Sequence, residues 1–169
     1  MTNKPSVLIT GASTGIGATY ADRFAKRGHD LVLVARDNIR MEALAVRLRK
    51  ETDVKVDILP ADLTNVRDLA QVEARLRDDH RIGILVNNAG TAPAGGFVDQ
   101  NPDEVGRIVS LNAMAPMRLA SVVAPAIRPS RPGRYREHRV GGRARSRVRL
   151  DCVWSDQGVP PLSKPKPPC

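Results

Sequence analysis

Thr10-Gly11-Ala12-Ser13-Thr14-Gly15-Ile16-Gly17 is the stretch that decides the fold. It follows a short apolar run, Ser6–Thr10, and opens a stretch of helical periodicity from Thr14 to Gly28. Three glycines in this spacing have separate jobs. Gly11 permits a tight turn, Gly15 lets backbone approach a pyrophosphate, and Gly17 lets the helix pack on the sheet. A helix starting there presents free N–H groups and a positive dipole end to an anion. The motif has the context that gives it meaning, after a strand and before a helix.

The same alternation continues along the chain. Asp30–Ala35 is a second apolar strand, and Gly28 before it is a C-cap candidate. Ile39–Glu51 is an amphipathic helix with Met41, Leu44, Ala45 and Leu48 facing inward. Val54–Leu59 is a third strand, and 65–79 a helix carrying Leu69, Val72 and Leu76. Ile82–Val86 is a fourth strand, ending in Asn87-Asn88-Ala89-Gly90. A loop over 91–100 leads to a helix over 102–124, with Pro116 as an expected kink. On the first helix, Ile16, Tyr20, Phe24 and Ala25 are expected on one face. Near-continuous apolar strands alternating with helices imply an α/β, Rossmann-like, doubly wound parallel sheet of strand order 3-2-1-4. Its ligand crevice is expected beyond the strand C-termini.

Composition divides the chain near Ala126. Residues 1–126 hold 16 Lys+Arg against 15 Asp+Glu, whereas residues 127–169 hold 11 against 3. The expectation is therefore a truncated dinucleotide-binding domain over 1–126 and a disordered basic, Pro-rich tail over 127–169. Aromatics are only 3% of the chain, so the core must be aliphatic. The two cysteines, Cys152 and Cys169, form neither a zinc spacing nor a disulfide framework, and His29, His80 and His138 stand singly, so no metal site is expected. No uninterrupted apolar run approaches the roughly 18 residues of a membrane span, and no leader-like apolar region opens the chain. A soluble cytoplasmic protein without a membrane partner is the expectation.

Residues 10–17 and 87–90 together resemble the short-chain dehydrogenase/reductase family. That family carries Thr-Gly-x-x-x-Gly-x-Gly at the first turn and Asn-Asn-Ala-Gly after the fourth strand, and the resemblance covers about residues 5–126. It implies a nicotinamide dinucleotide lining Gly11, Ser13, Thr14, Gly15 and Ile16 at its phosphates, with Gly17 completing the motif. Asp62 and Leu63 would face the adenine. Asn88, Ala89 and Gly90 would run along the ribose toward the nicotinamide, while Asn87 serves equally well as a brace of the sheet. Asn112 falls where the family keeps a helix asparagine that holds a water in its proton relay. Arg36 follows the second strand, where NAD-preferring members carry an Asp. A guanidinium there pairs with a 2′-phosphate that a carboxylate would repel, so NADP(H) is favoured over NAD(H), with Asp37 beside it opposing that preference. The implied reaction is hydride transfer between the cofactor and a small carbonyl or alcohol.

The family's chemistry also needs a Ser at the end of the fifth strand and a Tyr-x-x-x-Lys on the next helix. This chain has two tyrosines, Tyr20 and Tyr135; Tyr135 is followed at that spacing by Arg139, and Tyr20 by Phe24. Neither fits, so the chain as written is expected to be inactive. Back-translating the tail and reading one base later offers a reason. Residues 134–141 then permit Gly-Ile-Val-Asn-Ile-Ala-Ser, and residues 153–160 permit Tyr-Gly-Ala-Thr-Lys-Ala-Phe. The expectation is a frameshift between about Ile127 and Arg134. Strand four is then an uncovered edge, and the family's usual homo-oligomer interface, built on the helix of Asn112 and the one after it, is incomplete. Two other readings stand beside this one. A non-catalytic NADP(H)-binding module would bind without turnover. A basic-tailed nucleic-acid binder would show steep salt dependence, although no motif or aromatic interleaving marks a specific nucleic-acid site.

Overall fold

The computed structural model describes residues 4–93, 95, 99–127 and 149–151. Four of its strands are β1 (Ser6–Thr10), β2 (Leu31–Ala35), β3 (Val56–Pro60) and β4 (Ile82–Val86). They are joined by α1 (Gly15–Lys26), α2 (Asn38–Thr52) and α3 (Val66–Asp78). All the pairings are parallel, and the sheet order begins β3-β2-β1-β4, as the alternation implies.

A fifth strand differs from expectation. β5 (Arg149–Asp151) lies parallel to β4, with Ile84, Leu85 and Val86 opposite Arg149, Leu150 and Asp151. The row of N–H and C=O groups on β4 is a template for any segment that can reach it. Here three residues of the basic tail take that place, so β4 is not an open edge along Ile84–Val86. The rest of the tail, and with it the expected disorder, lies outside the described residues.

The pleat explains the unbroken apolar strands. Val7 and Ile9 point into one layer with Leu31, Leu33, Met41 and Leu48, under α1 and α2. Leu8, between them, points into the other with Val32, Val34, Val72 and Leu119. β1, β2 and β4 are buried on both faces, so alternation is lost in their sequence, whereas β3 leaves Asp57 and Pro60 exposed. β3 starts two residues later than periodicity suggests. Asp53 closes α2 at φ 54°, and the next residues form the link, with the Lys55 N–H donating to Asp30 Oδ1 at 2.9 Å.

α2 and α3 bury the residues their periodicity selects. α1 does not. Its buried stripe is Gly17, Ala21 and Ala25, while Tyr20 and Phe24 pack at the margin and Ile16 is 42% exposed. Small side chains every four residues let α1 lie close to the sheet, and the large ones are displaced to the sides. His29 is also less isolated than expected. It is half-buried, its Nδ1 lies 2.8 Å from the Pro5 carbonyl, and its ring meets Phe24 edge-on.

The last helical stretch has three parts, α4 (Pro102–Val109), a π turn (Ser110–Met114) and α5 (Ala115–Ile127). Pro116 has no N–H for the carbonyl of Asn112, and the widened turn immediately before it absorbs the defect. Arg118 on α5 grips Glu73 on α3 through Nε and Nη2, at 2.6 and 2.9 Å. This helix, Pro102–Pro125, is long and apolar enough to cross a membrane by length and composition. It is not an uninterrupted apolar run, because Arg107, Ser110, Asn112, Arg118 and Ser121 lie within it.

Candidate functional site

The turn after β1 is shaped by contacts that exclude side chains. Gly11 has φ +65°, and a Cβ there would meet the Ala89 backbone and the Asn88 side chain at 2.9 Å. Gly17 is tighter still, since a Cβ would lie 2.1 Å from the Gly11 carbonyl oxygen. Its role is thus to let α1 start against the turn itself, and it does not line the cleft. Gly15 is the opposite case. Its φ is +55°, and the Cβ position is open, with nothing within 4 Å. The N-cap of α1, Thr14, makes no side-chain bond to the helix, and no acidic residue stands in its first turn. By contrast Asp37, Asn65 and Asn101 cap α2, α3 and α4 with their side chains. The start of α1 therefore offers backbone N–H groups with no side-chain acceptor.

The end of β4 is stapled to that turn. The Thr10 hydroxyl is buried and accepts the N–H groups of Asn88 and Ala89, each at 3.0 Å. The Asn88 amide donates back to the carbonyls of Thr10 and Gly11 at 3.0 and 3.3 Å. Asn88 is thus a brace as much as a wall. Asn87 donates to the Pro116 carbonyl at 3.2 Å, while its Oδ1 is buried with no partner among the described residues. Asn112, inside the π turn, pairs with both backbone groups of Thr91, accepting its N–H at 2.9 Å and donating to its carbonyl at 2.7 Å. A side-chain amide here replaces a strand neighbour and fixes the start of the loop after Gly90.

At the far end, Asp62 closes an Asx turn, with Oδ1 accepting the Thr64 N–H at 2.9 Å and its hydroxyl at 2.7 Å. Burial alone would raise the Asp62 carboxyl. The Thr64 donors, with Arg36 and Arg107 nearby, outweigh it and hold the group below the usual value. Arg36 Nη1 lies 4.0 Å from Asp62 Oδ2.

These groups border one cleft of about 1110 Å³ across the C-terminal ends of β1, β2 and β4. Gly11, Ser13, Thr14, Gly15, Ile16, Arg36, Asp62, Leu63, Asn88, Ala89, Gly90 and Asn112 all line it, and of the expected residues only Gly17 does not. Among the described residues, no three His, Cys, Asp or Glu side chains gather to hold a metal.

The family model described as short chain dehydrogenase matches residues 5–134. The chain belongs to the short chain dehydrogenase family. Among solved structures, the bulky-bulky ketone specific alcohol dehydrogenase from Comamonas testosteroni is 61% identical with a TM-score of 0.72, over 73% of this chain and 50% of that one. A short-chain dehydrogenase from Sphingobium yanoikuyae in complex with NADPH is 64% identical with a TM-score of 0.71, over 72% of this chain and 47% of that one. A very-long-chain 3-oxoacyl-CoA reductase from Vanderwaltozyma polyspora is 32% identical over 71% of this chain and 35% of its own length. The chain thus spans about half of these solved relatives and about a third of that reductase.

A short-chain dehydrogenase needs a place for a dinucleotide, and these residues fit one. The open Gly15 position and the start of α1, which no side chain caps, suit a pyrophosphate, and the cleft is of ligand-binding size. Sequence reasoning missed Thr10 as the clasp, Thr91 as the partner of Asn112, and Arg40 in the cleft wall. Only Arg40 carried a signal. It stands three residues after Asp37, the spacing at which an N-cap meets its own third helical residue.

Proposed function

We propose that this chain is the cofactor-binding half of an NADP(H)-dependent short-chain oxidoreductase acting on a carbonyl/alcohol pair. The observation that carries it is the Gly15 turn, open to the cleft at the uncapped start of α1. When bound, the nicotinamide supplies the hydride chemistry. The residues of this chain have binding roles. Backbone N–H groups at the start of α1 receive the pyrophosphate, Asp62 and Leu63 border the adenine, and Asn88 to Gly90 floor the cleft toward the nicotinamide. Arg36 supports NADP(H), and so does the NADPH bound in the Sphingobium relative. The ketone named for the Comamonas enzyme supports a ketone as the oxidised partner.

In the sequence as written no Tyr-x-x-x-Lys follows the fourth strand, so the reading includes binding without turnover. It also includes a frameshift between about Ile127 and Arg134 as the origin of the tail. Titrating the full chain with NADPH and NADH by calorimetry, and following NADPH oxidation with ketones, tests both parts. Saturable binding that favours NADPH, with no oxidation, is expected. Absence of binding overturns the cofactor reading, and oxidation overturns the catalytic one. Resequencing the DNA across codons 126–141 tests for a miscounted base, and the finding that the shifted frame is open over fewer codons than the two matched stretches need would overturn the frameshift.

A further inference from the structure

We propose that Arg40, held in place by Asp37, is a second guanidinium for the 2′-phosphate of NADP(H). This rests on the cofactor reading above and extends it. Sequence alone sets Asp37 against a phosphate, as a carboxylate beside Arg36. The geometry gives it another task. Asp37 Oδ1 accepts the Arg40 backbone N–H at 3.0 Å and so caps α2, while Oδ2 lies 3.2 Å from Arg40 Nε. One carboxylate therefore holds both the backbone and the side chain of Arg40.

With Nε engaged, the two Nη groups of Arg40 have no protein partner among the described residues. Arg36 is similarly available, since its contact to Asp62 is 4.0 Å, beyond hydrogen-bonding distance. Arg36, Asp37 and Arg40 all line the same cleft. An exposed i,i+3 ion pair of this kind contributes little to stability, so its main consequence is where it leaves the guanidinium. Asp37 and Asp62 offset the charge of Arg36 and Arg40, so what the wall offers where β2 ends is two planar sets of donors with Nη groups to spare. That arrangement gives a dianionic phosphate ester charge-assisted bonds stronger than any it makes to a ribose hydroxyl pair.

Calorimetry on the full chain with NADPH, NADH and 2′,5′-ADP tests this. Arg40→Met is expected to weaken NADPH and 2′,5′-ADP about tenfold, the low end for a charge-assisted bond at an exposed site, and to leave NADH unchanged. Arg40→Lys restores part of the loss. Asp37→Asn keeps a capping oxygen and the melting temperature, but releases the guanidinium and lowers NADPH affinity about threefold. Equal loss of NADPH and NADH in Arg40→Met, or no loss of NADPH, overturns the assignment. Tighter NADPH binding by Asp37→Asn overturns the anchoring role. A parent chain that binds NADPH no better than NADH sinks the NADP(H) reading itself, and is distinguished because no variant is needed to see it.

Discussion

Replacing Gly17 or Gly15 with alanine should have opposite consequences, although both glycines belong to one motif. At position 17 the added Cβ would lie 2.1 Å from the Gly11 carbonyl oxygen and 2.6 Å from Asn88 Nδ2. An ordinary carbon–oxygen contact is about 3.3 Å, so α1 must retreat by about 1 Å. The obstacle is backbone, which cannot rotate out of the way. Ala21 and Ala25 on the same stripe are 0% and 1% exposed, so the retreat also opens the packing beneath them. Overpacking typically costs about 1–3 kcal/mol, and this geometry belongs at the top, about 3 kcal/mol. For a chain of this size that lowers the melting temperature by about 6–12 °C.

At position 15 the Cβ meets nothing within 4 Å, and the only cost is φ +55°. That is about 1 kcal/mol, or about 2–4 °C. The methyl does, however, stand where a phosphate must approach the backbone, so NADPH affinity should fall about tenfold or more. Thermal melts and calorimetry on the two variants separate the effects. Gly17→Ala is expected to lose mainly stability, and Gly15→Ala mainly binding. Equal melting temperatures for the two variants would refute the close-approach argument for Gly17. Undiminished NADPH binding by Gly15→Ala would refute the placement of the phosphates.

Thr10→Val keeps the shape of a buried side chain but leaves the Asn88 and Ala89 N–H groups without their acceptor. A loss of about 2–4 kcal/mol in urea unfolding is expected, and a change below about 0.5 kcal/mol would mean the clasp is not needed. Asn112→Ala removes both bonds to the Thr91 backbone, so hydrogen exchange at the Thr91 amide should quicken about tenfold while the amides of β1 keep their protection. Acid should loosen the start of β4. The Arg81 side-chain bond holds the Asp79 carboxyl down at about 2, against burial and with help from the Arg81 N–H and Arg75. A depressed pKa stabilises the fold above the unfolded value, and that stability is lost as pH falls through the folded one. Between about pH 4 and pH 2, Asp79 should give up about 1–2 kcal/mol, discounted because Arg81 is 60% exposed. Asp79→Asn should abolish that part of the acid sensitivity in pH-dependent melts.

The sheet order and the cleft residues are legible in the sequence because both depend on patterns short in the chain. Apolar strands such as Leu31–Ala35 admit few alternatives, and the glycine turn constrains three backbone positions within eight residues. The features that escape are set by contacts distant in the chain. Thr10 meets Asn88 across 78 residues, and nothing local distinguishes a clasping threonine from an ordinary one at a strand end. Periodicity misjudges the face of α1 because it ranks large apolar residues first, whereas close approach to a sheet selects the smallest. It likewise runs the third strand through residues that Asp53 turns into a link.

β5 is illegible for a different reason. A three-residue segment beside a free edge is selected by the edge, through backbone hydrogen bonds that every residue can make, and its side chains carry little of the information. The same physics bears on the cleft. The turn, the clasp and the Asp62 loop are built wholly from β1–β4 and their helices, so a binding site for a dinucleotide does not require the residues after α5. On the proposed function the general acid/base is a separate part, which the family resemblance implies on the helix after a fifth strand. Affinity and turnover are separable on that reading, and the calorimetric and oxidation assays proposed above read them independently.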